Sequence, residues 1–323
     1  MKKLMNFVLG GIVLFLFGCS SVGYVSFERL EAGDINYPDN IRRVGVVNNM
    51  PKYDFSQFKG DLNELPNMEG DGKMVADTLA YLLASADYFE EVVICDSMLQ
   101  GENVDPAKSG VLSYEKADSL MEAMGVDLLF SVERVKIDLS VWNENFVRGF
   151  KSVVAPVLTA YIPARNTPWF VINEKDSIGY DINQAITLGF LQKDASAYAA
   201  YLFMEHLLPS WKLVERNYYA SGNVEMRDAN VYVTEQNWEE AYSLWKKVYD
   251  TKKGKQRMMA AFNLAVYHEA HDNPQQAIAY LEEAIKLVKP GSWDARMIEV
   301  YQVQLEAQSK QRQQLEVQMK RFE

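Results

Sequence analysis

The sequence predicts an α/β domain built on a mixed sheet, followed by an all-α domain of helical repeats. Three observations lead there. Between residues 41 and 210, β-branched runs alternate with segments of helical periodicity. Beyond Ser221 the chain reads as helix, and one of its segments returns 36 positions later. Ahead of both lies a short apolar segment that ends in a cysteine. The boundaries drawn from these are 1–18 for a signal peptide, 19–40 for a tether, 41–210 for the α/β domain and 211–323 for the helical domain with a capping helix at its end.

The leader begins with Lys2 and Lys3 and continues through the apolar run Phe7–Phe17, broken by Gly10 and Gly11. The run has the length of a signal-peptide core and is short for a membrane-spanning helix. It closes in Leu16-Phe17-Gly18-Cys19-Ser20. That ending resembles the bacterial lipoprotein signal, with leucine three residues before the cysteine and a small residue directly before it. The resemblance implies diacylglycerol on the Cys19 sulfur, cleavage after Gly18, and a further acyl chain such as palmitate on the new amino group. An ordinary secretory signal with an incidental Cys19 is the other reading. Each buried CH₂ contributes about 0.8 kcal/mol, so several acyl chains hold a folded domain on a membrane almost permanently. A non-acidic Ser20 implies, by the same resemblance, transfer to the outer membrane. No acidic cluster lies between Ser20 and Phe27, which favours the periplasmic leaflet over the cell surface.

Composition narrows the function. The chain of 323 residues carries a formal net charge of −11, and cleavage before Cys19 would remove two lysines and no acid. A surface that negative argues against nucleic acid and against electrostatic adhesion to anionic lipid, since both need a basic patch. The second of the two cysteines, Cys95, ends the apolar run Val92-Val93-Ile94 and reads as a core thiol rather than a nucleophile.

The α/β elements follow in order. Arg42–Asn48 reads as a strand with Val44, Val46 and Val47 apolar on both faces. Met50 to Gly72 reads as a long loop with two prolines. Met74–Phe89 has the spacing of one helix face, Glu91–Asp96 is a second strand, and Tyr114–Met124 a second helix with Ser113 as its N-cap. Val126–Val141 is a long third strand. Lys151–Ile162 and Trp169–Ile178, separated by Pro163 to Pro168, suggest an antiparallel hairpin. Pro156 confines the first of these to a sheet edge or a bulge. Ala195–Leu208 is an apolar helix stopped by Pro209. The strand at Arg42–Val47, the passage into Glu91–Asp96 and the run Met121–Phe130 through Gly125 resemble the periplasmic domain of the curli secretion lipoprotein and of lipoprotein activators of penicillin-binding proteins.

In the helical half, Trp238, Ala241, Trp245 and Val248 correspond to Pro274, Ala277, Leu281 and Ala284. A small residue lets a neighbouring helix approach, and the large one four positions on fills the groove beside it. The spacing is close to the tetratricopeptide period of about 34 residues, and the pattern resembles that family. Leu264, within Asn263-Leu264-Ala265, takes the first-helix position of the second unit. A generic helical bundle is the alternative. The last helix carries Ile298, Tyr301, Leu305, Gln308, Arg312, Leu315, Met319 and Phe322 in alternating steps of three and four. With Gln308 and Arg312 in its middle, that seam suits a capping helix better than a dimer.

No constellation for catalysis emerges, and no cofactor or metal is expected. His268 and His271 lie one turn apart without the spacing of a zinc-protease helix, and His206 is the remaining histidine. Glu69–Lys73 lacks the pattern of a phosphate or calcium loop. The pairs Glu90/Glu91 and Glu282/Glu283 read as solvated surface. Trp211, Tyr218 and Tyr219 read as a packing seam or, alternatively, a ligand platform. Taken together, leader, α/β half and repeats resemble a family of Bacteroidetes lipoproteins of unknown function. The expected role is a non-enzymatic, lipid-anchored scaffold that binds a protein or peptide through its helical repeats. Regulation of an envelope machine for peptidoglycan synthesis or secretion, acting through the α/β domain, is the second possibility. A glycan-acting enzyme ranks third.

Overall fold

The computed structural model describes residues 22–52, 67–97, 99–100, 110–144, 147–181 and 187–322. The leader with Cys19 and much of the loop between Met50 and Gly72 lie outside them. The chain clusters into two units. One, the α/β unit, holds Leu30–Trp211 and the described residues from Gln311 on. The other, the helical unit, holds Lys212–Lys310 and the described residues up to Arg29. Residues from Gln311 on, assigned from sequence to the helical domain, thus group with the sheet.

Part of the stretch read as a tether is a strand, β1 (Val22–Glu31), which pairs with β9 (Ser210–Tyr219) in a two-stranded sheet. The glycines and the proline of residues 20–40 hid an alternation that buries one side of VGYVSFERLE more than the other. Likewise, most of the stretch opening the helical half is the strand β9 rather than helix. Its apolar residues Val214 and Tyr218 face inward with period two or four, which a strand satisfies.

In the α/β unit, β2 (Arg43–Asn48) lies between β4 (Glu91–Cys95) and β5 (Leu128–Glu144), parallel to both. The strand β6 (Val147–Tyr161) returns antiparallel to β5. It then takes β7 (Phe170–Asn173) and β8 (Asp176–Asp181) along its other side, and β3 (Asn67–Glu69) pairs with β5. The sheet is therefore mixed. Helix α1 (Gly72–Ser85) and helix α3 (Leu188–Leu207) pack on the face that carries Val44, Val46, Leu128 and Phe130. Helix α2 (Tyr114–Met124) covers Val47, Leu129 and Tyr161 on the other face. Alternation along β2 thus supplies both cores, which is why its sequence is apolar throughout.

Pro156 lies within β6, whose ladder passes from β8 at residues 149–154 to β7 at residues 157–160. The proline falls in the gap between those short strands, so its missing N–H leaves no ladder bond unmade. The register of β5 against β6 shifts between Val132 and Arg134, with Glu133 as the extra residue. The segment read as one strand from Trp169 to Ile178 is broken into β7 and β8.

The helical unit contains α4 (Val224–Thr234), α5 (Trp238–Thr251), α6 (Gly254–Ala270), α7 (Pro274–Ile285) and the start of α8 (Trp293–Met319). Each of the first three packs on the next. Helix α6 is central, with ten buried residues including Asn263 and Glu269. Asn273 caps α7 by accepting from the Gln276 N–H, and Pro274 follows where an amide hydrogen is not needed. On α8 the buried positions are Ala295, Ile298, Tyr301, Leu305 and Gln308. Farther along, Gln318 is buried in the α/β unit and Phe322 is exposed, so the heptad seam does not continue to its end.

Candidate functional site

The helical unit contains a groove of about 370 Å³ between β9 and α8. It is bordered by Glu215, Arg216 and Asn217 of the strand, and by Trp293, Arg296, Met297, Val300 and Gln304 of the helix, with Phe262 and Tyr301 beneath. Two tyrosines hold the helix in place. Tyr219 Oη donates to Asp294 Oδ1 at 2.6 Å, and Tyr301 Oη donates to Glu269 Oε2 at 2.6 Å. Burial, and then the adjoining carboxylate, pushes both phenols well above the ordinary tyrosine value, so both remain donors.

Under the groove lies an ion cluster. Arg216 grips Glu269 with Nε at 2.8 Å and Nη2 at 2.8 Å, while Arg29 reaches the same carboxylate from β1 at 2.5 Å. The Glu269 side chain is 0 % exposed, and those of Arg29 and Arg216 are 15 % and 13 % exposed. Burial pulls the Arg216 pKa down, and the bonds and charge of Glu269 more than reverse it. The guanidinium therefore stays charged at every accessible pH.

Helix α8 has two unlike faces. The inner one is core. The outer one exposes Trp293 (56 %), Val300 (59 %) and Val303 (66 %). Exposed apolar residues are ordinary one at a time, but a row of them along one helix marks a surface that can be covered.

The residues singled out for the repeat pattern fall in this unit. Ala241, Trp245, Leu264, Ala277, Leu281 and Ala284 are fully buried in one cluster, and Trp238 is half-buried against it. Tyr218 and Tyr219 belong to the same core, whereas Trp211 is exposed. His268 stacks on Tyr280 and His271 on Tyr267. Burial, with a smaller contribution from His271, lowers the His268 pKa and so favours the neutral ring. Among the described residues no group of three or more His, Cys, Asp or Glu is placed to hold a metal. Within His268-Glu269-Ala270-His271 the residue that organises the site is thus Glu269, held by Arg216 and Tyr301, and its flanking histidines only stack on tyrosines.

The α/β unit has its own cleft, of about 690 Å³, at the carboxyl end of β2 and the start of α1. Asn48, Lys52, Asp71, Lys73 and Gln192 are among its lining residues. Asp71, from the loop-like Glu69–Lys73, caps α1 by accepting from the Lys73 and Met74 N–H groups. Its carboxylate occupies the place an anion would take at that helix end. Beside this end of the sheet, Glu133 accepts from Asn49 Nδ2 at 2.6 Å and from the Leu112 N–H at 3.2 Å. Glu90 and Glu91 pair with Arg42 and Arg43, and Glu283 with Lys286. Cys95 is partly buried against the α2 core and unbonded.

Residues 41–219 match a domain of unknown function, DUF8603. That is more than half of the chain, which belongs to this family. Residues 227–307 match a second domain of unknown function, DUF6340. No curated protein matches. Among solved structures, the hypothetical protein CT253 from Chlamydia trachomatis aligns over 51 % of this chain and 95 % of its own at 10 % identity, with a TM-score of 0.28. That score is too low to equate the two folds.

Proposed function

We propose that this DUF8603 protein is a membrane-tethered, non-enzymatic scaffold that holds a protein or peptide through its helical unit on the periplasmic side of the outer membrane. The observation that carries the reading is the groove between β9 and α8, flanked by the exposed apolar row of α8. Ala241 and Ala277, equivalent in a period near that of tetratricopeptide repeats, support an array whose open face receives ligands. The tether rests on the sequence around Cys19. Among the described residues no helix is long and apolar enough to cross a membrane.

Two measurements test this. A photo-crosslinking residue at Trp293 or Val303 of the full chain is expected to trap a defined partner in cells, while the same probe at exposed Tyr81 on α1 is not. Equal labelling from the Tyr81 probe would remove the helical unit from the reading. Cys19→Ala is expected to abolish labelling by a fatty-acid probe and to release the protein from membranes. Persistent attachment would overturn the anchor. A second reading, regulation of an envelope machine through the α/β unit, draws on the cleft at the carboxyl end of β2, where ligands of open α/β sheets commonly bind. Crosslinks from Thr78 alone would favour it.

A further inference from the structure

We propose that the groove receives an extended peptide as an added strand along β9 and selects an acidic side chain within it. The inference rests on the partner-binding reading of the helical unit. Successive side chains of a strand point to opposite faces. A cavity bordered by Glu215, Arg216 and Asn217 in succession therefore runs along the edge of β9 rather than over one face. The sheet has two strands, so β1 takes one edge of β9 and, among the described residues, no strand takes the other.

Tyr219 shows which backbone groups point to that open edge. Its N–H donates to Asn263 Oδ1 at 2.7 Å, and its carbonyl accepts from Asn263 Nδ2 at 2.9 Å. The carboxamide stands where a neighbouring strand would place a peptide group. Backbone groups of alternate residues in a strand share an edge, so those of Asn217 and Glu215 turn the same way. The Glu215 carbonyl already accepts from Arg216 Nη1 at 3.0 Å. Strand addition draws affinity from such main-chain groups and specificity from pockets for alternate side chains.

Charge identifies the side chain. Two guanidiniums, Arg216 and Arg296, line the groove against the single carboxylate of Glu215, in a chain of net charge −11. Arg216 is fixed on Glu269, which offsets its charge, so Arg296 is the guanidinium of the groove without a carboxylate partner among the described residues. Arg296 is exposed and donates to the Gly291 carbonyl through Nη2 at 3.3 Å. Trp293, Met297 and Val300 beside it offer apolar contact. The fitting occupant carries Asp or Glu two positions from an aromatic or aliphatic residue, both on the face turned to α8.

A random decapeptide display library panned on the full chain tests this. Enrichment of that acidic and apolar pattern is expected. With a synthetic copy of an enriched peptide, Arg296→Glu is expected to weaken binding about tenfold, and replacing the peptide's acid by lysine to restore it. Methylating alternate peptide nitrogens is expected to abolish binding in one register and spare the other. Peptides indifferent to Arg296→Glu, or tolerant of N-methylation at every position, would overturn strand addition and leave the scaffold reading standing. Enrichment of no peptide, or of peptides that crosslink within the α/β unit alone, would overturn both.

Discussion

Glu133 is the extra residue of a bulge in β5, nearly sealed from water and bonded to Asn49, Leu112 and, through Oε1, Tyr161. Burial raises its pKa above the ordinary glutamate value, outweighing the bonds that lower it. A carboxyl whose pKa is raised on folding stabilises the fold fully below its unfolded pKa and loses that contribution as pH rises through the folded one. Glu133→Gln keeps an acceptor for Asn49 and cannot ionise. Its stability relative to the wild type is therefore expected to climb as pH rises from about 4 to about 7, read from urea unfolding at each pH. A flat difference would show that Glu133 titrates alike in both states. In the sequence this residue is one acid within Leu128–Val135, an apolar run. Arg134 follows it directly, so the pair reads as an ordinary charged step in a strand, and the burial of Glu133 shows only once its partners from distant segments are in place.

At the scale of elements, packing of small residues sets the geometry of the helical unit. Ala277 is fully buried, and Ala279, two residues on, is exposed. Ala277→Leu is expected to cost about 1–3 kcal/mol by overfilling the contact between α7 and its neighbours. Ala279→Leu is expected to change the urea midpoint little. Comparable losses at both positions would mean that close approach at Ala277 does not govern the packing. The α4–α8 helices and the strands β2, β4 and β5 were legible because their apolar periodicity is long or continuous. β1 and β9 were not. Each is a half-exposed strand whose mixed residues gain meaning from a partner more than half the chain away, and no local period records that pairing. The groove was invisible for the same reason, since it needs β9 to be a strand. Its helix wall of Trp293, Met297 and Val300 falls off the heptad seam of that helix, so the seam does not point to it.

At the scale of the molecule, both units are assembled from separated parts of the chain. In the α/β unit the Gln318 carboxamide bonds the N–H and C=O of Gly33 and the carbonyl of Ile35. Arg321 donates to the carbonyls of Tyr37, Pro38 and Ile41 and lies over the rings of Tyr37, Tyr88 and Phe89. Arg321→Ala is expected to destabilise this unit by about 1–3 kcal/mol through the loss of these contacts. Hydrogen exchange should accelerate at residues 33–41 and 314–319 and stay unchanged along α6. Uniform acceleration would indicate that the clasp is not local to the sheet. No single cut yields either unit whole, which is why the experiments above use the full chain.

The clasp also has a consequence in time. Gly33 and Gln318 are 285 residues apart, and chains are synthesised at about 5–20 residues per second. Gly33 therefore waits roughly 15 to 60 s for its partner to be made. In whichever compartment the chain folds, the clasp cannot close before Gln318 has arrived there, and until then the N-terminal segment of the sheet is unfastened and open to a chaperone or a protease. A nascent chain arrested shortly before Gln318 should display this immaturity, and release of the final dozen residues should end it.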